Sequence, residues 1–190
     1  MSAAAFAPGL GADPRVDAER AALVVVDVQE AFRKSIPDFD RIAERCGVLI
    51  EAAKQVGLPI VVTEQYPRGL GATVEAVTQH LPAGAEPVEK VCFSAAAADG
   101  FDLHGREQAI VCGIETHVCV SHTALDLIAA GREVHVVTDA VGSRAEANRE
   151  LGLRKLERAD AVLTSVEMVV FELVRGAGTP EFKALQGLIK

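Results

Sequence analysis

Apolar runs broken by turn residues recur along the chain at intervals that suit alternating strands and helices. Ala21–Val26 is an unbroken apolar run ended by Asp27. Residues 41–56 place Ile42, Cys46, Leu49, Ile50, Ala53 and Val56 at helical spacing, and the pattern stops at Gly57 and Pro59. The whole pattern predicts strands over 21–26, 59–63, 87–92, 108–112, 133–138 and 161–164. Helices are predicted over 41–56, from about Thr116 to Ala130, after the capping box Ser143-Arg-Ala-Glu146, and after an N-cap at Ser165. Strands that lack polar alternation are buried on both faces, as in a parallel sheet covered by helices. The expected fold is therefore α/β: a Rossmann-like three-layer α/β/α sandwich around a six-stranded, mostly parallel sheet. Residues 1–19, rich in Ala, Gly and Pro, read as a loose N-terminal arm that packs on the body or on a partner subunit. Residues 20–190 read as one domain.

Composition narrows the function classes. Of the 190 residues 49% are hydrophobic, enough for a core without disulfides or metals. The longest stretch without Asp, Glu, Lys or Arg is residues 1–12, and a Pro and two Gly break it. That is too short to span a membrane and unlike a secretory signal. Cytoplasmic location is expected, with the four cysteines as thiols because none forms a CxxC pair. A net charge of −8, no Trp and a single Tyr disfavour nucleic acid and anionic membranes as partners.

In parallel α/β sheets chemistry sits at the carboxyl ends of the strands. Three reactive side chains fall there: Asp27 after the first strand, Lys90 near the end of the third, and Cys119 in the first turn of the helix after the fourth. With Thr116 as N-cap, Cys119 would occupy the third helical position, where helix N–H groups and the Lys90 ammonium would lower its pKa. Asp27 would accept the thiol proton and later pass it to a leaving group. Each residue alone has an ordinary alternative: a small buried apolar Cys119, a loop-capping Asp27, a solvated Lys90. His117, Cys119 and His122 do not share one helix face, so a metal among them is not expected.

The segment Gly113-Ile114-Glu115-Thr116-His117-Val118-Cys119-Val120 resembles the signature of the isochorismatase-like cysteine hydrolase superfamily. Val25-Val26-Asp27-Val28-Gln29, Glu89-Lys90 with Phe93-Ser94, and Asp139-Ala140 with Ser143-Arg144 are similar to its other motifs, in the family's order. The resemblance implies an Asp27, Lys90, Cys119 catalytic triad. It also implies a cis peptide at Ile114–Glu115, with the backbone N–H groups of Glu115 and Cys119 as the oxyanion hole. Thr63-Glu64-Gln65-Tyr66-Pro67 lacks the histidines of the metal-dependent nicotinamidases and looks like the metal-free branch. No metal and no cofactor are expected. Cys119 argues against cleavage of a vinyl ether, since true isochorismatases lack that cysteine.

Phe32, Tyr66, Phe93 and Gln29 follow the motifs closely. They are candidates for lining the substrate pocket, with core or interface packing as the alternative for the three aromatic residues, and a hydrogen bond within the first-strand loop or a surface position as the alternatives for Gln29. The apolar helix after Cys119, together with the family's habit, implies a homo-oligomer. The expected function is metal-independent hydrolysis of a C–N bond, amide or carbamoyl, in a small molecule through a Cys119 thioester. The alternatives are a non-catalytic scaffold that keeps the triad, and a thiol redox sensor with Cys92 or Cys112 as resolving partner.

Overall fold

The computed structural model describes residues 13–189. The strands are β1 (Ala21–Val26), β2 (Ile60–Gln65), β3 (Val88–Lys90), β4 (Gln108–Ile114), β5 (Glu133–Gly142) and β6 (Val162–Thr164). They form one six-stranded sheet in the order β3-β2-β1-β4-β5-β6, and every neighbouring pair is parallel. The chain builds outward from β1 through β2 to β3, then returns to lay β4 against the other side of β1. The carboxyl ends of β1 and β4 therefore flank the switch point, where doubly wound sheets hold their ligands.

The helices are α1 (Phe39–Val56), α2 (Pro67–Leu70), α3 (Glu75–Thr78), α4 (Ser121–Ala129), α5 (Glu146–Glu157), α6 (Val166–Val174) and α7 (Pro180–Leu188). Successive strand residues point to opposite faces, and both faces are covered. Leu23, Val25, Ile110, Cys112 and Val137 pack under α1, α6 and α7. Val24, Val26, Ala109, Val111, Val134 and Val136 pack under α4 and α5. This double burial explains why the strands read as continuous apolar runs.

Several boundaries differ from the sequence expectation. β4 and β5 run on past 112 and 138, with an irregularity in their pairing between Val111 and Gly113. Because β5 reaches Gly142, Ser143 is a strand-exit residue. Its hydroxyl lies 3.0 Å from His117 Nδ1 and does not cap α5, so the expected capping box is absent. Ser165 does cap α6, accepting from Met168 N at 3.2 Å. The helix α7 was not anticipated, although Thr179-Pro180 is a cap-and-proline start: Thr179 Oγ1 accepts from Phe182 N.

Of the expected N-terminal arm, residues 1–12 lie outside the described residues. Residues 13–19 are tied to the body. Val16 is fully buried and donates its N–H to Glu172 at 2.9 Å, and Asp17 N–H donates to Gln108 Oε1 at 2.7 Å.

His135, on β5, is 1% exposed, and neither ring nitrogen has a partner among the described residues. Burial pushes its pKa down, against the pull of Glu172 and Glu133. The unfolded chain therefore takes up the proton more readily. Stability should be full above the unfolded value of about 6.5 and should fall as pH drops through the lower folded value. Urea melts between pH 8 and pH 5 should show that loss, and His135→Leu should flatten it.

Candidate active site

The site is built on one close approach. β1 and β4 pair in register through Val26, the last residue of β1, and Gly113, the last but one of β4, at the switch point. Gly113 has φ +109°, and a Cβ there would penetrate the Val26 carbonyl oxygen. Only glycine permits this contact, which brings the two strand ends together. Asp27 follows Val26 with φ +53° and is fully buried.

Lys90 arrives from the sheet edge, two strands away. Its ammonium donates to Asp27 Oδ2 at 2.7 Å and to Gln65 Oε1 at 2.8 Å. It also reaches the carbonyl oxygens of Phe93 at 3.1 Å and Cys92 at 3.3 Å. The other Asp27 oxygen accepts from Thr63 Oγ1 at 2.7 Å. The two charged side chains are 0% and 1% exposed, so this pair is desolvated and every lone pair it leaves unmet is costly. Thr63 and Gln65, alternate residues of β2, supply the missing partners. Sequence reasoning assigned neither of them a role. Their period-two spacing at the end of β2 was the available signal.

Cys119 lies in a π turn, Thr116–Val120, that leads into α4. Thr116 does not cap this turn: the N-cap position belongs to Glu115, and Thr116 Oγ1 has no partner among the described residues. The Ile114–Glu115 peptide is cis. The Glu115 carboxylate accepts from Arg144 N at 2.8 Å and Arg144 Nε at 3.1 Å, which ties the exit of β5 to the turn.

The electrostatics of Cys119 reverse the expectation of a lowered pKa. Burial pushes the thiol up to about 12, and the Asp27 charge beside it adds to the rise. Lys90 opposes this without overcoming it, because Asp27 faces the same ammonium at contact distance. The resting sulfur is therefore a neutral thiol beside a carboxylate.

The expected pocket residues separate. Tyr66 and Phe93 stand at the rim, each 54% exposed, and the Phe93 ring lies 5.8 Å from that of His122. Phe32 instead packs half-buried against the core cluster that α1, α6 and α7 cover. Gln29 is fully buried and not a pocket wall. Its oxygen accepts from Gln65 N at 2.8 Å, and its nitrogen donates to the Gln65 and Gly71 carbonyls. It locks β2 to the loop after β1, behind the site. Cys112, a proposed redox partner, is on the opposite face of the sheet from Cys119. Among the described residues no group of three His, Cys, Asp or Glu side chains is placed to hold a metal ion. No helix among them is long and apolar enough to cross a membrane.

A doubly wound parallel sheet with polar and reactive side chains gathered at its switch point is an α/β domain arranged to hold a ligand there. Residues 21–168 match the Isochorismatase domain model, and the chain belongs to the isochorismatase-domain family. It is 40% identical over 179 residues to mouse isochorismatase domain-containing protein 2A, covering 93% of this chain and 85% of that protein. A Caenorhabditis elegans structure described as MAR1 ribonuclease is 38% identical with TM-score 0.87, covering 92% of each chain. The ycaC gene product of Escherichia coli, described as an octameric hydrolase of unknown specificity, is 29% identical with TM-score 0.82. That match covers 92% of this chain and 89% of that one.

Gly113→Ala tests the contact on which the site is built. It should destabilise the fold by on the order of 3 kcal/mol, read as a lower urea midpoint. A midpoint unchanged from wild type would show that β1 and β4 can separate without cost.

Proposed function

We propose that this isochorismatase-family chain is a metal-independent cysteine hydrolase of C–N bonds in small amide or carbamoyl compounds, acting through a Cys119 thioester. The observation that carries the proposal is the desolvated Asp27–Lys90 pair beside a buried thiol. Cys119 Sγ attacks the carbonyl carbon as its proton passes to Asp27, which is a base positioned for a thiol that is otherwise neutral. The oxyanion is received by the backbone N–H groups of Glu115 and Cys119. Collapse expels the amine with the proton from Asp27, leaving the thioester. Water then gives a proton to Asp27 and attacks the thioester, and the acid departs as the thiol is restored. Lys90 holds positive charge at Asp27 throughout, so no step calls on a metal or cofactor.

The octameric relative supports a homo-oligomer, and four unpaired cysteines suit the cytoplasm. The C. elegans description raises ribonucleolysis as a second reading. A net charge of −8 fits a small uncharged or cationic substrate better than a polyanion.

An ammonia-release screen over small amides should find turnover that Cys119→Ala lowers by at least about a thousand-fold without unfolding the protein. Equal turnover in the variant removes the mechanism, and Cys119-dependent cleavage of RNA instead would favour the second reading. Asp27→Asn should split two readouts. Turnover should collapse, while iodoacetamide should modify Cys119 faster at pH 8, because the Asp27 charge no longer adds to burial in raising the thiol pKa and Lys90 is opposed by burial alone. Slower modification in that variant would mean that Asp27 does not hold the thiol protonated.

A further inference from the structure

We propose that the surface beside β3 is an isologous interface, in which a second copy of this chain packs on Tyr66, Val91 and Phe93, and Arg68 of each copy pairs with Glu89 of the other. The inference deepens the homo-oligomer reading and rests on it. Tyr66, Val91 and Phe93 are 54%, 78% and 54% exposed and lie within a short stretch of surface along the sheet edge. Tyr66 N–H donates to the Lys90 carbonyl at 2.8 Å, which holds the Tyr66 turn against β3. A groove of about 340 Å³ lies along this edge, lined by Tyr66, Pro67, Arg68, Glu89, Lys90 and Val91. Exposed aromatic and aliphatic side chains clustered beside an arginine are typical of an interface and uncommon as bare surface.

The charges on this groove select a second copy as the occupant. Arg68 and Glu89 are exposed, and neither takes part in an ion pair among the described residues. One patch carries an apolar centre with an unpaired cation and an unpaired anion. A two-fold axis through it sets each cation opposite the other copy's anion and apolar centre against apolar centre. A partner of a single charge sign would leave one of the two unmatched. The same surface adjoins the site. The Phe93 carbonyl holds Lys90 at 3.1 Å, while its ring meets His122, three residues past Cys119. A copy seated on this face would wall the mouth of the site and fix the loop that cages the ammonium.

Sedimentation velocity on the full chain tests the interface. Wild type should be oligomeric, and Arg68→Glu, Glu89→Arg and Val91→Asp should each shift it to a smaller species. Arg68→Glu combined with Glu89→Arg should restore the wild-type mass, since the pairing is preserved with its signs exchanged. Far-UV circular dichroism of each variant at 25 °C should match wild type, which separates dissociation from unfolding. Single reversals that leave the mass unchanged, or a double reversal that fails to restore it, overturn the interface while the homo-oligomer reading stands. A monomeric wild type overturns both.

Discussion

A carboxylate and an ammonium excluded from water, 2.7 Å apart, constrain everything around them. Removing two charges from solvent costs several kcal/mol per ion unless the remaining donors and acceptors are met. Here they are met by Thr63 on Asp27 and by Gln65, Cys92 and Phe93 on Lys90. Those partners come from β2 and from the loop after β3, so the pair requires the order β3-β2-β1. Gln29 then holds Gln65 in place through its backbone. Apolar residues of the same volume would hold the fold as well or better. A pair this expensive, placed at a switch point, makes more sense as chemistry than as stability.

The pair also explains the state of the sulfur. An isolated lysine beside a cysteine would favour the thiolate. Here the ammonium is shared with Asp27, and the thiol faces a carboxylate in a buried setting. The result is a thiol that rests neutral beside a carboxylate, the starting state that the proposed mechanism calls for. A neutral resting thiol is also a poor target for oxidants, since reactivity toward peroxide follows thiolate character. The electrostatics therefore speak against a redox sensor, and Cys112 lies on the far face of the sheet, whereas Cys92, the other resolving partner considered, stands in the loop beside Lys90.

Much of the fold was legible because it depends on local, periodic signals. Ala21–Val26 could be read residue for residue, since a run buried on both faces has no competing pattern. Asp27, Lys90 and Cys119 were legible as positions because strand ends follow from strand runs. What was hidden depends on contacts between distant segments. Ser143 and Glu146 have the spacing of a capping box, but β5 continues beside β4 and hands the Ser143 hydroxyl to His117. Gln29 reads as a pocket amide until the turn of Gln65 and Gly71 is folded around it. The thiol pKa depends on which of two opposite charges lies nearer and how deeply all three groups are buried, and no spacing rule carries that information.

Gly113 shows how one residue joins these levels. It stands in the segment that resembles the family signature, just past the strand expected over 108–112. Its structural role is to have no side chain where β4 meets Val26. That contact sets the depth at which the chain turns out of β4, and the turn sets where Cys119 stands relative to Asp27. The buried pair then fixes Asp27 from the opposite side, through β2 and β3. Sulfur and carboxylate are thus located by two independent routes through the sheet, one along β4 and one from its edge. Their meeting at the switch point is a property of the strand order more than of any single side chain.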